Sequence, residues 1–358
     1  MILIVLGVGA LALISGTLLL LRVPTCPPTQ PATPIRLSII IPARNEEDNL
    51  PRLLGSLNNC ELATFEVIVV DDGSTDATAA VAKSAGATVL AAPLLPASWT
   101  GKTWACAQGA QKARGDLLLF LDADTWLVPG GLDQLLSAWH RHSGERVALS
   151  LLPFHALRAP YEELALFFNV LMAIGAGGFG AFGKPKLFGQ CLLVSRDLYE
   201  ACEGHSAVRS RVLENLFMAD HIEAVGGRCI CLGGRRVLQV RMFPDGLNQL
   251  CESWKKAFID GAAATESVVL ALTIVWLTSI CTVFLLVCVA PSSLRVFAAA
   301  CYVLTASQVF FSVRQIGSFR WTTAFLYPIP LLFFFGLFAS SLLGRKRRRQ
   351  VNWRGRQI

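Results

Sequence analysis

The chain has 358 residues, a formal net charge of +7 and 53% hydrophobic residues, with a mean hydropathy of +0.51. That length allows one or two domains with a full core, but the apolar share excludes an ordinary soluble enzyme. Its excess lies in a few long runs, as membrane-embedded sequence does. The charge is equally localised: Arg345, Lys346, Arg347, Arg348, Arg349, Arg354 and Arg356 lie together without an acid. A basic cluster beside a membrane segment fits anionic lipid headgroups. No basic surface interleaved with aromatics is present, so no nucleic-acid partner is expected.

Residues 1–22 read as an N-terminal transmembrane anchor: Met1 to Leu21 is unbroken apolar sequence, long enough to span. It lacks a basic leading region and an Ala-x-Ala site, so it is not a cleaved signal. Residues 23–36 carry prolines at 24, 27, 28, 31 and 34 and read as an extended spacer. Residues 37–264 form the main domain. Its first half, 37–152, alternates strand and helix: strands at Leu37–Ile41, Glu66–Val70, Ala87–Leu90 and Leu117–Leu121, and helices at Glu46–Leu57, Asp76–Ala85 and Thr103–Arg114. Alternation with short connections predicts an α/β fold with a doubly wound, mostly parallel sheet.

The second half, 153–264, is less regular, with a helix expected over Val208–Ala224. Leu164 to Gly183 is apolar with glycines at 175, 177, 178, 180 and 183. Such glycine density makes a poor helix, so an interfacial or acceptor-lining segment is expected rather than a span. Residues 265–344 hold C-terminal transmembrane helices at 268–290, 294–313 and 322–343, followed by a basic cytoplasmic tail, 345–358. These helices conflict with the tail. An anchor plus three later spans places the tail outside, against the positive-inside bias, unless one segment does not cross or Leu164–Gly183 does. The eleven cysteines form no Cys-x-x-Cys pair and read as small buried hydrophobes.

Chemistry concentrates at the carboxyl ends of the strands, where ligands bind in such sheets. Three polar clusters fall there: Pro42-Ala43-Arg44-Asn45-Glu46, Asp71 to Asp76, and Asp122-Ala123-Asp124. On an extended backbone Asp122 and Asp124 leave the same face. Two such carboxylates suit a divalent cation holding a phosphate-bearing ligand; the bland alternative is a strand end with two solvated acids.

Three motifs, Ser38-Ile-Ile-Ile-Pro-Ala-Arg-Asn-Glu46, Val69-Val-Asp-Asp-Gly-Ser-Thr-Asp76 and Phe120-Leu-Asp-Ala-Asp124, resemble those of the family 2 glycosyltransferases of GT-A fold. Trp99-Thr-Gly-Lys102, Gly204-His205, Glu214, Arg241-Met-Phe-Pro-Asp-Gly246, Trp254-Lys-Lys256 and the terminal Trp353-Arg-Gly-Arg-Gln357 extend the resemblance over nearly the whole chain. The group within the family that they resemble is the membrane-bound 4,4′-diaponeurosporenoate glycosyltransferases of carotenoid synthesis. The resemblance implies a UDP-sugar donor, with glucose the expected sugar. It places the base near Asp72, the nucleotide against Pro42 and Ala43 with Glu46 nearby, and the ribose and diphosphate at Asp122 and Asp124. Asp124, with Asp122, is the expected ligand of Mg2+ or Mn2+. Such an ion neutralises the charge that a departing diphosphate gains. Lys102 is expected to add positive charge there, against the alternative of a solvated loop lysine.

One departure concerns the base. The family pattern has an Asp directly after a Glu, and this chain has Glu214-Asn215. Glu214 is then the candidate catalytic base, unless it is a surface acid on its helix. An acceptor carboxylate, already ionised at neutral pH, needs positioning more than a base, so the change suits a glycosyl ester formed on a membrane lipid acid. His205, Trp254 and Lys256 are the candidate acceptor-side residues, with a structural role the alternative for His205. The Gln-x-x-Arg-Trp element of processive enzymes is replaced, which argues for single transfer. The expectation is an inverting, multi-pass cell-membrane glycosyltransferase with a cytoplasmic catalytic domain. A hopanoid or polyprenyl-phosphate glycosyltransferase and a nucleotide-binding membrane protein without transferase activity are the alternatives; too few spans argue against a transporter.

Overall fold

The structure, a computed structural model, describes residues 1–30, 35–57, 63–142, 145–211, 213–344, 352–353 and 356–357. The basic cluster Arg345 to Arg349 and Arg354 lies outside the described residues. The chain divides into two compact units. One holds residues 24–155, 185–242 and 350–358; the other holds 1–23, 156–184 and 243–349. These boundaries differ from the continuous span 37–264 read from the sequence, because 156–184 and 243–264 group with the apolar helices.

The first unit is built on a seven-stranded sheet. Its strands are β1 (Ile35–Ala43), β2 (Ala63–Asp71), β3 (Thr88–Ala91), β4 (Leu117–Leu121), β6 (Val147–Leu152), β8 (Cys191–Ser195) and β9 (Arg228–Gly233), in the order β3-β2-β1-β4-β8-β6-β9. A small sheet orders β5 (Thr125–Leu127), β10 (Leu238–Val240) and β7 (Phe154–His155) as β5-β10-β7. β1 to β4 are mutually parallel where they pair, and β8 alone runs antiparallel to its neighbours β4 and β6. The expected mostly parallel α/β sheet is therefore present. All five residues of β4 are buried, as a parallel strand covered on both faces requires.

Strand order sets the position of the site. From β1 the chain winds outward through β2 to β3, then returns to the other side of β1 as β4. Adjacent connections leave β1 and β4 in opposite directions, opening a crevice at their carboxyl ends. The helix Gly101–Lys112 connects β3 to β4, with the Thr100 hydroxyl accepting from the Thr103 N–H at its start. At its far end Arg196 donates to the carbonyls of Ala113 and Gly115, both at 2.8 Å. A guanidinium there satisfies carbonyls that the last helical turn leaves open and complements the helix dipole.

Residues 24–30 do not hang free as a spacer. Gly233 N–H donates to Pro24 O at 2.6 Å, Thr25 bridges to Gly233, and Gln30 N–H donates to Ser137 Oγ at 3.0 Å. An extended proline-rich strand can pair with the open edge at β9 without helical competition.

Among the described residues the second unit contains three helices long and apolar enough to cross a membrane: Ile2–Leu19, Ser267–Val289 and Ser292–Ile316. Gln308 Nε2 donates to Leu13 O at 2.7 Å, tying the third of these to the first, and Tyr327 OH, outside them, donates to Ile280 O of the second at 2.8 Å. The expected span 322–343 is not one helix. It breaks into Trp321–Phe325 and Pro328–Gly344, because Pro328 has no N–H and restricts the residue before it. The 17-residue piece extends about 25 Å at 1.5 Å per residue, short of a bilayer core of roughly 30 Å. The glycine-rich 164–183 segment forms the helix Leu166–Gly177, 12 residues long, ending at Gly178 with φ 60°. It is too short to span, in keeping with the expectation, but more helical than its glycines suggested.

Candidate active site

The crevice has a stitched wall. Asn45, at φ 53°, donates its N–H to Ser74 Oγ at 3.0 Å and accepts from the Thr75 N–H at 2.9 Å. Glu46 N–H donates to Thr78 Oγ1 at 2.8 Å, and Glu47 Oε2 accepts from Ala77 N–H at 2.8 Å. Arg44 Nη1 donates to Asp72 O at 2.6 Å. The loops after β1 and β2 are thus one rigid surface. Asp72 is buried in it, its N–H donating to Ala43 O at 2.9 Å. Pro42 and Ala43 close the β1 ladder opposite Val70 and Asp71. Glu46 is buried and accepts from Asn49 Nδ2 at 2.7 Å, which places it within the wall. Arg44 and Asn45 are structural members of this site that the sequence reading left without a role; an Asn before an acidic pair was the available signal for a left-handed turn.

The floor is a charged cluster. Lys102 Nζ lies 2.8 Å from Asp122 Oδ1, 3.0 Å from Asp122 Oδ2, 2.9 Å from Glu214 Oε1 and 3.0 Å from Gly189 O. The Lys102 and Asp122 side chains are 22% and 25% exposed, and that of Glu214 is 3% exposed. Glu214 is therefore no surface acid. It opens the helix Glu214–Ala224, which starts six residues later than the expected 208, and Lys102 is no solvated loop lysine. Burial opposes charge on Lys102, but Asp122 and Glu214 together hold its pKa above the ordinary lysine value. Burial raises the Glu214 pKa above the usual carboxylate value, and Lys102 opposes that shift.

A short strap, Phe188 to Gln190, holds this floor together. Phe188 N–H donates to Ser150 Oγ at 2.6 Å, and Phe188 O accepts from Asn215 Nδ2 at 3.0 Å. Gly189 O accepts a hydrogen bond from Lys102 Nζ at 3.0 Å, and Gln190 O accepts from Asp122 N–H at 3.1 Å. A Cβ on Gly189 would stand 3.2 Å from both Lys102 Nζ and Glu214 Oε1, tighter than most Cβ contacts, so a side chain there would press on the ion pair. Asn215 is buried, and its Oδ1 has no hydrogen-bond partner among the described residues. Nothing in the sequence marked the strap, since its contacts are carbonyls.

Asp122 and Asp124 are not on an extended strand. β4 ends at Leu121, and Thr125 closes a turn by donating its N–H at 3.1 Å and its Oγ1 at 2.7 Å to Asp122 O. The extended backbone behind the same-face expectation ends before the pair, and the Thr125 bonds back to Asp122 O close the turn that carries it. Among the described residues no group of three or more His, Cys, Asp or Glu side chains could hold a metal ion. Two oxygen donors in one turn fit a hard divalent cation that arrives with further oxygens from a diphosphate, and do not fit a freestanding metal centre.

The remaining candidates sit elsewhere. His205 is buried behind β4, its ring centroid 4.7 Å from that of Phe120 and its Nδ1 2.9 Å from Tyr199 OH. Burial, with the Lys102 charge adding to it, lowers the His205 pKa to about 3. The imidazole is neutral at physiological pH. Trp254 lies in the helix Leu247–Ala264 of the helical unit, buried and stacked on Phe168 at 4.7 Å. Lys256 is in the same helix, with its side chain outside the described part.

Residues 38–153 match the family model "Glycosyl transferase family 2". A 4,4'-diaponeurosporenoate glycosyltransferase of Staphylococcus aureus (strain USA300) is 30% identical over 331 residues, 90% of this chain and 88% of that protein. The protein of the same name from strain MRSA252 is 29% identical over 330 residues, again 90% and 88%. Among solved structures, the mannosyltransferase PcManGT from Pyrobaculum calidifontis, in complex with GDP-Man and Mn2+, superposes with a TM-score of 0.54. It covers 92% of this chain and 95% of its own at 19% identity, a likeness of fold. With the motifs at the strand ends and relatives matched along nearly their full length, the chain belongs to glycosyltransferase family 2 and is a glycosyltransferase.

Proposed function

We propose that the enzyme transfers glucose, with inversion, from UDP-glucose to the carboxylate of a membrane lipid acid, a carotenoid acid in particular, giving a glycosyl ester. The observation that carries the acceptor class is the Glu214-Asn215 pair. Asn215 has no proton-accepting carboxylate, and Glu214 is 3% exposed and held by Lys102 at 2.9 Å. An acceptor hydroxyl needs a positioned base. An acceptor carboxylate brings its own ionised oxygen, so this pair suits it. The relatives named 4,4'-diaponeurosporenoate glycosyltransferases support the same acceptor.

In the step, a carboxylate oxygen of the acceptor bonds to the anomeric carbon while the bond from that carbon to the β-phosphate oxygen breaks. The electron pair leaves with UDP, and no proton needs removal. Asp72 and the Pro42–Ala43 edge hold the nucleotide, Glu46 keeps that wall rigid, and Lys102 and Asp122 meet the diphosphate. Asp124 and Asp122 would hold Mg2+ or Mn2+, which supplies positive charge to the leaving diphosphate. His205, Trp254 and Lys256 are assigned to the acceptor side, His205 as a neutral group behind β4 and Trp254 as a buried ring stacked on Phe168 in the helical unit.

Three crossings rather than four support a cytoplasmic catalytic unit. With the N-terminus outside, helices Ile2–Leu19, Ser267–Val289 and Ser292–Ile316 return the chain to the inside. The basic cluster from Arg345, with its anionic-lipid partner, then lies in the cytosol as the positive-inside rule favours.

The test is the full chain in nanodiscs with Mn2+, a C30 carotenoid acid and labelled UDP-glucose, UDP-N-acetylglucosamine or GDP-mannose. The expected product is a lipid glucoside from UDP-glucose alone, cleaved by mild alkali and β-configured at the anomeric carbon. An alkali-stable product, or labelling from GDP-mannose alone, would overturn the reading.

A further inference from the structure

The geometry points to Lys102 as a resident cation that keeps bare metal off Asp122 and releases it to an incoming metal–diphosphate. This inference rests on the donor-site reading above and deepens it.

An ammonium carries three protons and no acceptor. Lys102 donates to Asp122 Oδ2 and to the Gly189 carbonyl, both at 3.0 Å, while Asp122 Oδ1 at 2.8 Å and Glu214 Oε1 at 2.9 Å are ion-pair contacts. The ammonium thus sits among oxygens from Asp122, Glu214 and Gly189. The lysine is also held from several sides. Glu214 is buried, the strap carbonyl is fixed through Phe188 and Gln190, and Lys102 stands in the first turn of its helix.

Two consequences follow from charge. Asp122, Asp124, Glu214 and Lys102 sum to two negative charges, but the ammonium already stands at 2.8 and 3.0 Å from the two Asp122 oxygens, so a bare divalent ion meets it directly. A metal arriving with a nucleoside diphosphate brings phosphate oxygens that accept the Lys102 protons in place of Asp122. The carboxylate is then free to join Asp124 on the metal. Lys102 therefore makes metal and nucleotide binding depend on each other. Such coupling is reciprocal: whatever factor nucleotide adds to metal affinity, metal adds to nucleotide affinity.

Mn2+ binding by the full chain in detergent, read from the free-ion electron paramagnetic resonance signal, tests this without turnover. For the native protein Mn2+ alone is expected to bind weakly, and UDP to raise its affinity by about tenfold or more. Lys102→Met is expected to bind Mn2+ alone about tenfold more tightly than native and to lose most of the UDP enhancement. Lys102→Arg keeps the charge and is expected to exclude bare Mn2+ as the native protein does. Because Lys102→Met leaves Glu214 buried without its partner, the pair Lys102→Met/Glu214→Gln serves as a second variant with the same expected gain. If neither Lys102→Met variant gains affinity for Mn2+ alone while native protein still binds Mn2+ with UDP, the inference is overturned and the donor reading stands. Equal gains in Lys102→Arg and Lys102→Met also overturn it. If native protein binds no Mn2+ with UDP, the donor reading falls and takes the inference with it.

Discussion

The Lys102 ammonium lies 2.9 Å from the carboxylate of Glu214, whose side chain is 3% exposed. A buried carboxylate in that contact is committed to the lysine rather than to a substrate proton. Removing the lysine leaves Glu214 a buried carboxylate without its cation and costs about 3 kcal/mol or more. Lys102→Met is therefore expected to lower the thermal unfolding midpoint clearly, and the pair Lys102→Met/Glu214→Gln by much less. An unchanged midpoint in Lys102→Met would contradict the pairing.

Gly189 is where the strap passes the ion pair. In Gly189→Ala the added methyl carbon would stand 3.2 Å from Lys102 Nζ and from Glu214 Oε1. Both atoms end flexible side chains, so the fold is expected to survive while Lys102 shifts by a few tenths of an ångström. Misplaced catalytic geometry lowers rate steeply, and a loss of about tenfold in kcat/KM for the donor is expected. Calorimetric unfolding beside donor kinetics separates the two effects; a stability loss with unaltered kinetics would remove the strap from the site.

His205 carries an acid-sensitive contribution. Burial lowers its folded pKa to about 3 from the ordinary histidine value of 6.5, so the fold favours the neutral ring. The stabilisation is fully present above pH 6.5 and is lost as pH falls toward 3, at about 1.4 kcal/mol per pH unit. His155, lowered to about 4 by burial, acts in the same direction. His205→Gln is expected to keep a hydrogen bond to Tyr199 and to flatten part of the decline in unfolding midpoint between pH 6.5 and 4. A decline as steep as that of the native protein would contradict this account of the ring.

The membrane topology is testable by fusion. Alkaline phosphatase joined after Ala290, the C-cap of the helix Ser267–Val289, is expected to be active, and joined after Gly344 to be inactive. The opposite pattern would place the catalytic unit outside.

The parallel sheet was legible in the sequence because buried parallel strands are continuous apolar runs: Leu117–Leu121 and Leu37–Ile41 could be read directly. The positions of Asp72 and Asp122 at strand ends were legible because α/β folds collect polar residues there, whereas Lys102, at the start of a helix, was singled out only through the resemblance. The break before Pro328 was not, since the hydropathy of 322–343 outweighed one proline that only the backbone geometry penalises. The turn at Asp122–Asp124 was hidden for the same kind of reason. A two-residue carboxylate spacing reads as strand unless the bonds from Thr125 back to Asp122 O are known. The Phe188–Gln190 strap works through carbonyls, which no side-chain pattern reveals. Lys256 and the basic cluster from Arg345 lie in parts of the chain where side chains or backbone are not described.

The central claim, that an already ionised acceptor replaces a general base, is tested most directly by one ratio. Native enzyme is given a C30 carotenoid acid and the matched primary alcohol, and kcat/KM is measured for each at saturating donor. General-base catalysis typically contributes 10²–10⁴-fold, so the alcohol is expected to react about 100-fold more slowly or worse. Equal turnover of the two acceptors would contradict the account and return Glu214 to the role of catalytic base.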